Sequence, residues 1–273
     1  QVPQFTNNCF IWAYWGNNSA VSPPAYATNG AAWSMGFGSV WHLRDGTNIT
    51  YDSVARYTGT PQNVSAITGV VEGASSFNGT DAQISTTYTQ PPATSYTASA
   101  WIKTTDAAAN KMIISDRGAG SGMSLSFGLR AGGGRPFFGL DSNGILIGQD
   151  ANDPINDDTW HHLAGVWTTP YGTAVDVSQF AIYVDGTQVV STSTSAGSSY
   201  APLAGAGAAQ IAYHQVWATN LMASLDEIRA ETYPRSSNWI WACYMNQGTN
   251  RSSFVTYDTV IDLPPQGTIL MLK

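Results

Sequence analysis

Short runs of alternating apolar and polar residues recur along most of the chain, and the clearest run covers residues 180–190. Apolar side chains alternate through F-A-I-Y-V at 180–184, as expected for a strand that is buried on one face. Asp185 and Gly186 follow, and both tolerate the positive φ that a two-residue type I′ turn requires. The pattern therefore predicts a β-hairpin whose second strand starts near Gln188.

Comparable runs lie about ten to fifteen residues apart from residue 76 onward, with Gly, Asn and Asp between them, which is typical of an antiparallel β-sandwich. Residues 45–73 are mostly polar and rich in turn formers, so we expect little regular structure there. One helix is predicted near the C-terminal end, because Ser236 can cap it and apolar residues recur at helical spacing over 239–244. The predicted strands cover 9–15, 40–43, 82–86, 97–103, 111–116, 123–129, 136–140, 160–167, 180–184, 188–193, 210–213 and 223–231.

Composition supports an all-β fold and narrows the functions. The 273 residues include 10 Trp, 13 Tyr and 9 Phe but only 11% charged residues, whereas a helical bundle needs many more Glu and Lys. The net charge is −7 with 11 thinly spread basic residues, so the chain has no electrostatic surface for nucleic acid or anionic lipid. No apolar run approaches about 18 residues, so we expect no membrane insertion. Abundant Ser and Thr beside few Lys and Glu favour an extracellular or cell-surface location.

The cysteines and the N-glycosylation sequons fit an extracellular protein. Cys9 and Cys243 lie near opposite ends, and a disulfide between them would contribute about 4–5 kcal/mol on the chain-entropy model. Two buried thiols are the alternative. The start at Gln1 and the apolar run at 268–272 lead us to expect that the chain is cut from a longer protein. The sequons are at Asn17, Asn48, Asn63, Asn78 and Asn250.

Five segments resemble, in order, the strands of concanavalin A-like domains of the laminin G type (LamG, pentraxin-type). Residues 76–81 (S-F-N-G-T-D) resemble the F-D-G-x-x-D strand that opens these domains, and 97–103 (T-A-S-A-W-I-K) resemble T-x-S-x-W-I-K. Residues 160–166 resemble W-H-H-L-A-G-V, 182–186 resemble I-Y-V-D-G, and 225–229 (L-D-E-I-R) resemble I-D-E-V-R. The resemblance implies an all-β fold: a concanavalin A-like jelly-roll β-sandwich of two antiparallel sheets with one short C-terminal helix.

The N-terminal flank carries a second resemblance. Residues 10–17 (F-I-W-A-Y-W-G-N) and 29–33 (N-G-A-A-W) resemble the end of a DUF2341-type domain, which often precedes a laminin G-like domain in large prokaryotic surface proteins. This implies three parts of the chain. They are an N-terminal strand and linker at 1–38, the jelly roll at 39–257, and a C-terminal tail strand at 258–273.

Domains of this fold also include glycoside hydrolases, in which two carboxylates face one cleft, about 5–5.5 Å apart in retaining enzymes. By resemblance, the corresponding strand here carries Glu227 and Glu231, which share parity and so can face one side. Arg229 lies between them, at the place where the hydrolase pattern needs Asp. We interpret this strand face as a solvated one bridged by Arg229, and we expect no catalytic residue.

Calcium is the ion that the resemblance implies. Jelly-roll relatives often hold one Ca²⁺ between the opening strand and the closing D-E-V-R strand, which points to Asp226, Asp81 and the backbone near Gly79 as oxygen ligands. The alternative is that Asp226 accepts hydrogen bonds from turn amides. The four histidines lack metal-ligand spacing and are interpreted as ordinary core or surface residues. The aspartates of residues 150–158 are interpreted as a solvated loop.

Glycan binding requires exposed aromatic faces beside planar polar groups. Tyr213, His214 and Trp217 combine these residue types in one loop, and packing of Trp217 against the sandwich edge is the alternative. We therefore expect a non-catalytic extracellular recognition or adhesion module that binds a glycan or a surface protein. A structural subunit that pairs strands with copies of itself is the alternative, and a glycoside hydrolase ranks last.

Overall fold

The computed structural model describes residues 29–248, apart from residues 47, 49, 117–123, 143–144, 198, 200–203 and 206. These residues form two large antiparallel sheets, a two-stranded ribbon, two short 3₁₀ helices (Ala31–Trp33 and Val177–Gln179) and one helix, α1 (Ser237–Gln247). The strands are β1 (Phe37–Trp41), β2 (Thr50–Tyr51), β3 (Thr58–Gln62), β4 (Ser65–Thr68), β5 (Gly73–Asn78), β6 (Gln83–Thr86), β7 (Ser95–Lys103), β8 (Lys111–Ser115), β9 (Ser124–Leu129), β10 (Pro136–Ser142), β11 (Ile145–Ala151), β12 (Trp160–Thr168), β13 (Phe180–Val184), β14 (Thr187–Gln188), β15 (Ser191–Ala196), β16 (Gln210–Ile211), β17 (Tyr213–His214), β18 (Thr219–Asn220) and β19 (Met222–Glu231).

The two large sheets stack face to face, which confirms the predicted all-β sandwich. The eight-stranded sheet has the order β14-β13-β12-β7-β19-β5-β4, with β1 also pairing β19. The nine-stranded sheet has the order β15-β11-β10-β9-β8-β16-β6-β3-β2, and β17 and β18 form the ribbon. Strands that are consecutive in sequence are often not adjacent in these sheets, so the fold depends on pairing between distant parts of the chain.

The core lies between the sheets and is built by strict alternation along the central strands. On β7, Tyr96, Ala98, Ala100 and Ile102 belong to the core, because every second side chain of a strand points to the same face. On β12, Gly165 leaves room for Phe138 of the opposite sheet, since a Cβ there would lie 2.1 Å from Phe138 Cγ. The large fully buried side chains are Trp41, Trp167, Tyr88, Tyr96, Phe77, Phe127, Phe137, Phe138, Leu43, Ile84, Ile102 and Met112.

The predicted hairpin and helix are both present. Asp185 and Gly186 have φ of 50° and 78° and connect β13 to β14, as a type I′ turn requires. Ser236 accepts a hydrogen bond from the Trp239 backbone N–H and caps α1. The helix packs on the outer face of the eight-stranded sheet, where Ile240 is buried.

Several sequence predictions need correction. Residues 45–73 hold β2, β3 and β4 rather than turns alone, because these strands are short and polar and carry little periodic signal. Strand β11 was not predicted, and the predicted strand at 188–193 is divided between β14 and β15. Asp150 is buried and paired with Arg130, so it does not belong to a solvated loop. The predicted strand at 9–15 and the tail strand at 258–273 lie outside the described residues.

Candidate functional site

Strand β19 changes its neighbour halfway along, and this change opens the site. Its first half pairs β5, from Met222 opposite Asn78 onward, and its second half pairs β1, from Ile228 onward. Between these halves the register against β7 shifts by a β-bulge. Glu227 lies in the bulge with φ of 51°, a left-handed conformation that is uncommon for residues other than glycine. The bulge therefore leaves a gap between β5 and β1 on the outer face of the sheet.

Glu227 is the buried centre of a polar network. Its Oε1 accepts a hydrogen bond from His42 Nδ1, and its Oε2 accepts one from Arg229 Nη2 at 2.8 Å. Gln247 Nε2, on the last turn of α1, also donates to Oε2 at 3.5 Å. Burial opposes ionisation, but the His42 hydrogen bond and the Arg229 charge outweigh it and lower the pKa of Glu227 below its ordinary value. The residue is therefore an ionised anchor that fixes three neighbours.

The adjacent Asp226 fixes one wall of the site. Its fully buried Oδ2 accepts hydrogen bonds from the backbone N–H groups of Val70 and Val71, at 2.8 and 2.9 Å. Burial raises the pKa of Asp226 to about 6, partly offset by these two amides. This arrangement holds the turn between β4 and β5 against β19.

Together these groups enclose a cleft of about 490 Å³, within the range of small-molecule sites. Most of its walls are planar polar side chains. The arginines donate hydrogen bonds, the glutamates accept them, and the imidazole and carboxamide groups can do both. Trp33 stands beside the cleft, with its ring centroid 5.4 Å from the Arg229 guanidinium and 5.8 Å from the His42 ring. We call this site the bulge cleft. It is lined by His42, Arg44, Val71, Glu72, Glu227, Arg229, Asn246 and Gln247.

The predicted glycan residues are brought together but are differently exposed. Tyr213 and His214 form β17, and the fully buried His214 stacks on Trp217 at 3.9 Å between ring centroids. His214 Nδ1 also accepts a hydrogen bond from the Trp217 backbone N–H. Trp217 is half-buried, with one ring face against His214. A ligand role for this hairpin stays a prediction.

The predicted calcium ligands are not brought together. Asp81 accepts hydrogen bonds from Asn78 and Asn63 beside Gly79, next to the end of β19 at Met222. Asp226 is four residues further along β19, about 13 Å at the usual strand rise. Backbone N–H groups donate hydrogen bonds to Asp226 Oδ2, as suits a carboxylate that needs hydrogen-bond donors. The described residues hold no metal-binding group of three or more His, Cys, Asp or Glu side chains. These residues do not fit one ion in this arrangement, and bound calcium stays a prediction.

Glu227 and Glu231 each have an arginine partner. Arg229 binds Glu227, as the sequence indicates, and Arg235 Nε donates to Glu231. The predicted solvated face is wrong, because the Glu227 and Glu231 side chains are only 3% and 2% exposed and each pairs with an arginine beneath α1. Burial raises the pKa of Glu231, and the Arg235 charge opposes that change. Glu231 lies under α1 and does not line the bulge cleft.

The remaining predicted sites are only partly described. Asn48, Asn63 and Asn78 are exposed, as glycosylation requires, while Asn17 and Asn250 lie outside the described residues. The Cys243 thiol contacts Arg229 at 3.7 Å, and burial raises its pKa. Its predicted disulfide partner, Cys9, lies outside the described residues, so the disulfide stays a prediction.

Comparisons with known proteins identify the fold of this chain. The family model described as "Concanavalin A-like lectin/glucanases superfamily" matches residues 78–241. No curated protein matches the chain.

Three of the solved structures that share the fold are 12–14% identical to this chain. Domain 4 of AbnA, a GH43 extracellular arabinanase from Geobacillus stearothermophilus in complex with arabinotriose, has a TM-score of 0.54 at 14% identity over 75% of this chain and 96% of its own. The binding domain of Paraclostridial Mosquitocidal Protein 1 has a TM-score of 0.52 at 12% identity over 77% and 52%. The receptor binding domain of botulinum neurotoxin D has a TM-score of 0.52 at 13% identity over 78% and 53%, so the chain spans about half of these last two. The described residues contain no helix with the length and apolarity that a bilayer crossing needs.

Proposed function

This chain belongs to the concanavalin A-like lectin/glucanases superfamily, and we propose that it is a non-catalytic extracellular recognition module that binds a glycan in the bulge cleft. The solved neighbours support a binding role, since one is in complex with arabinotriose and two are named binding domains. Fold alone does not determine function, so the proposal depends on the cleft itself.

The observation that carries the proposal is the fixed set of planar polar groups in the bulge cleft. Guanidinium, imidazole, carboxamide and carboxylate groups line it, and the salt bridges of Glu227 hold several of them in place before a ligand arrives. Such a planar group can form two hydrogen bonds at once with neighbouring hydroxyls of one ligand. Because the groups are already held in place, less entropy is lost on binding. Trp33 adds a half-exposed aromatic ring next to them. The combination matches a hydroxyl-rich ligand with apolar C–H faces.

The same geometry argues against hydrolysis. A glycoside hydrolase needs one carboxyl group whose pKa is raised, so that it can donate a proton to the leaving group. The pKa of Glu227 is lowered instead, and both of its oxygens are engaged. Glu72, the other carboxylate of the cleft, is exposed and pairs with the exposed Arg44 at 3.1 Å. Asp226 has a raised pKa but is fully buried against backbone amides.

A glycan array tests the proposal with variants that spare the fold. Arg44→Ala combined with Asn246→Ala removes two cleft side chains while leaving the buried network of Glu227 in place. We expect the wild type to bind, with and without EDTA, and the double variant to lose about tenfold or more in affinity. Tyr171→Ala is the control, because this side chain is 79% exposed and does not line the cleft.

The array results separate the bulge cleft from the hairpin. Absence of glycan binding by the wild type would contradict the function. Binding that survives in the Arg44→Ala/Asn246→Ala variant but is lost in Trp217→Ala would move the site to the β17–β18 hairpin. Binding that EDTA abolishes would support the predicted calcium ion.

A structural role is the second candidate, and strand β15 favours it. This six-residue strand lies at the edge of the nine-stranded sheet and contains only Ser, Thr and Ala. It lacks the charges and prolines that usually protect edge strands from pairing. If two copies pair through β15, they form a closed dimer on size exclusion, and Ser195→Lys returns it to a monomer; a monomer in both proteins would exclude this role.

A further inference from the structure

Three aromatic rings surround one arginine on the outer face of the eight-stranded sheet. The Arg235 guanidinium carbon lies 4.3 Å from the ring centroid of Trp239, 4.8 Å from that of Phe37 and 5.4 Å from that of Tyr233. Cation–π contacts of this length are attractive, and more so when the cation is shielded from water. The Arg235 side chain is only 7% exposed. We call Phe37, Tyr233, Trp239 and Arg235 the aromatic platform.

Arg235 is itself held on several sides. Its Nε donates to Glu231, its Nη2 donates to the Met35 carbonyl at 2.7 Å, and its backbone N–H donates to Thr97 Oγ1 at 3.0 Å. The guanidinium therefore cannot leave without breaking a buried ion pair. Because the rings pack on a fixed group, their motion is restricted.

The outer surface of the aromatic platform is open to solvent. Tyr233 is 57% exposed and Trp239 is 43% exposed, although both contact the buried guanidinium. Aromatic side chains present about 150–250 Å² each, so the two rings together expose roughly 200 Å². A stable protein interface needs about 800 Å² per partner. The patch is therefore the size of a sugar unit or two, and on its own it is too small to form a stable protein interface.

The aromatic platform continues into the bulge cleft. The ring centroids of Trp33 and Phe37 lie 5.0 Å apart, and Trp33 also contacts the Arg229 guanidinium. Arg229 lines the bulge cleft, and Glu231 pairs with Arg235 of the aromatic platform. These two residues are two positions apart on β19, or about 7 Å. One extended ligand can reach both.

We propose that the aromatic platform is a second subsite for the same glycan chain, where sugar units beyond the one in the bulge cleft stack their C–H faces on Trp239 and Tyr233. This inference rests on the proposed function and adds that the ligand is an oligosaccharide rather than a single sugar. Rings whose motion is already restricted lose less entropy on binding, which lowers the ordering cost of stacking there.

The experiment is an affinity series on an array that carries each glycan at lengths of one to six sugar units. Trp239→Ala removes the ring that lies nearest the Arg235 guanidinium, and Trp241→Ala is the matched control. Trp241 lies on the same helix and is similarly exposed at 46%, but it does not form part of the aromatic platform. Thermal unfolding checks that both variants fold.

We expect the wild-type affinity to rise about tenfold from one sugar unit to the longer chains, and Trp239→Ala to erase that rise without changing the affinity for the shortest glycan. Trp241→Ala keeps the rise. Affinity that does not grow with length, or grows equally in Trp239→Ala, would overturn the aromatic platform while leaving the bulge cleft intact. Absence of binding at every length would overturn the proposed function and this inference with it. A wild-type dimer on size exclusion that Trp239→Ala dissociates would assign the patch to a second copy, against the inference.

Discussion

We expect Glu227 to be the cleft residue whose removal lowers the free energy of unfolding most. Glu227→Ala removes a carboxylate that is 3% exposed and leaves the Arg229 side chain, 11% exposed, without its ionic partner. Breaking a buried pair from one side costs about 3–5 kcal/mol, because the remaining charge stays desolvated. Some solvent reaches Arg229, so we expect the lower end, about 3 kcal/mol. At about 2–4 °C per kcal/mol for a domain of this size, the midpoint of thermal unfolding falls by roughly 6–12 °C.

The matched control lies in the same cleft. Glu72→Ala also removes a glutamate that pairs with an arginine, but the Glu72 and Arg44 side chains are 74% and 61% exposed. Exposed pairs contribute about 0–1 kcal/mol, so this variant should be close to wild type. Urea titrations followed by circular dichroism measure both, provided that the slope of the transition is unchanged. Equal losses in Glu227→Ala and Glu72→Ala would refute the reasoning.

A third variant separates backbone strain from charge. Alanine and glutamate have the same difficulty at φ of 51°, so strain cancels in Glu227→Ala. Glycine adopts this conformation without a Cβ clash, so Glu227→Gly should be about 1 kcal/mol more stable than Glu227→Ala. Glycine that is less stable than alanine would show that the bulge is not strained.

The remaining predictions concern the sheet and helix that carry the cleft. Burial, assisted by the Arg229 charge, lowers the pKa of His162 to about 4. As the pH drops from about 6.5 to 4, this histidine is protonated in the unfolded chain before it is protonated in the folded one, so stability should fall over that range. The unfolding midpoint of His162→Leu should depend less on pH over that window, and an unchanged slope would contradict this. Gly165→Ala should cost about 1–3 kcal/mol by overpacking Phe138, with partial recovery on adding Phe138→Leu; a cost below about 0.5 kcal/mol would contradict the close approach. Ser236→Ala should cost about 1 kcal/mol through loss of the helix cap, measured by thermal unfolding, and Ser236→Asp should retain the wild-type midpoint.

Local patterns predicted the elements that are specified locally. The 97–103 strand alternates with a period of two, and the 180–190 hairpin contains its own turn residues, so both were predicted to within about two residues. Strand β11 was missed because Asp150 at its end resembled a loop residue. Only its distant partner Arg130 explains why a carboxylate is buried there.

The bulge cleft could not be predicted in the same way. Because Glu227 and Glu231 are four positions apart, the sequence predicts that they face one side of a regular strand. In the structure, a bulge that contains Glu227 in a left-handed conformation interrupts β19. Its other walls come from the end of β1 and the last turn of α1, so His42 meets Glu227 across 185 positions of sequence. No local signal marks His42 as different from the other histidines. The arginine between the two glutamates was recognised, because it is adjacent in sequence.

The most direct test of the account is amide chemical-shift mapping of the ¹⁵N-labelled chain with the glycan that binds most tightly on the array. If the bulge cleft is the binding site, the largest shifts fall on Val71, Arg229 and Gln247. Largest shifts at Tyr213 and Trp217, with the cleft amides unchanged, would contradict the central claim.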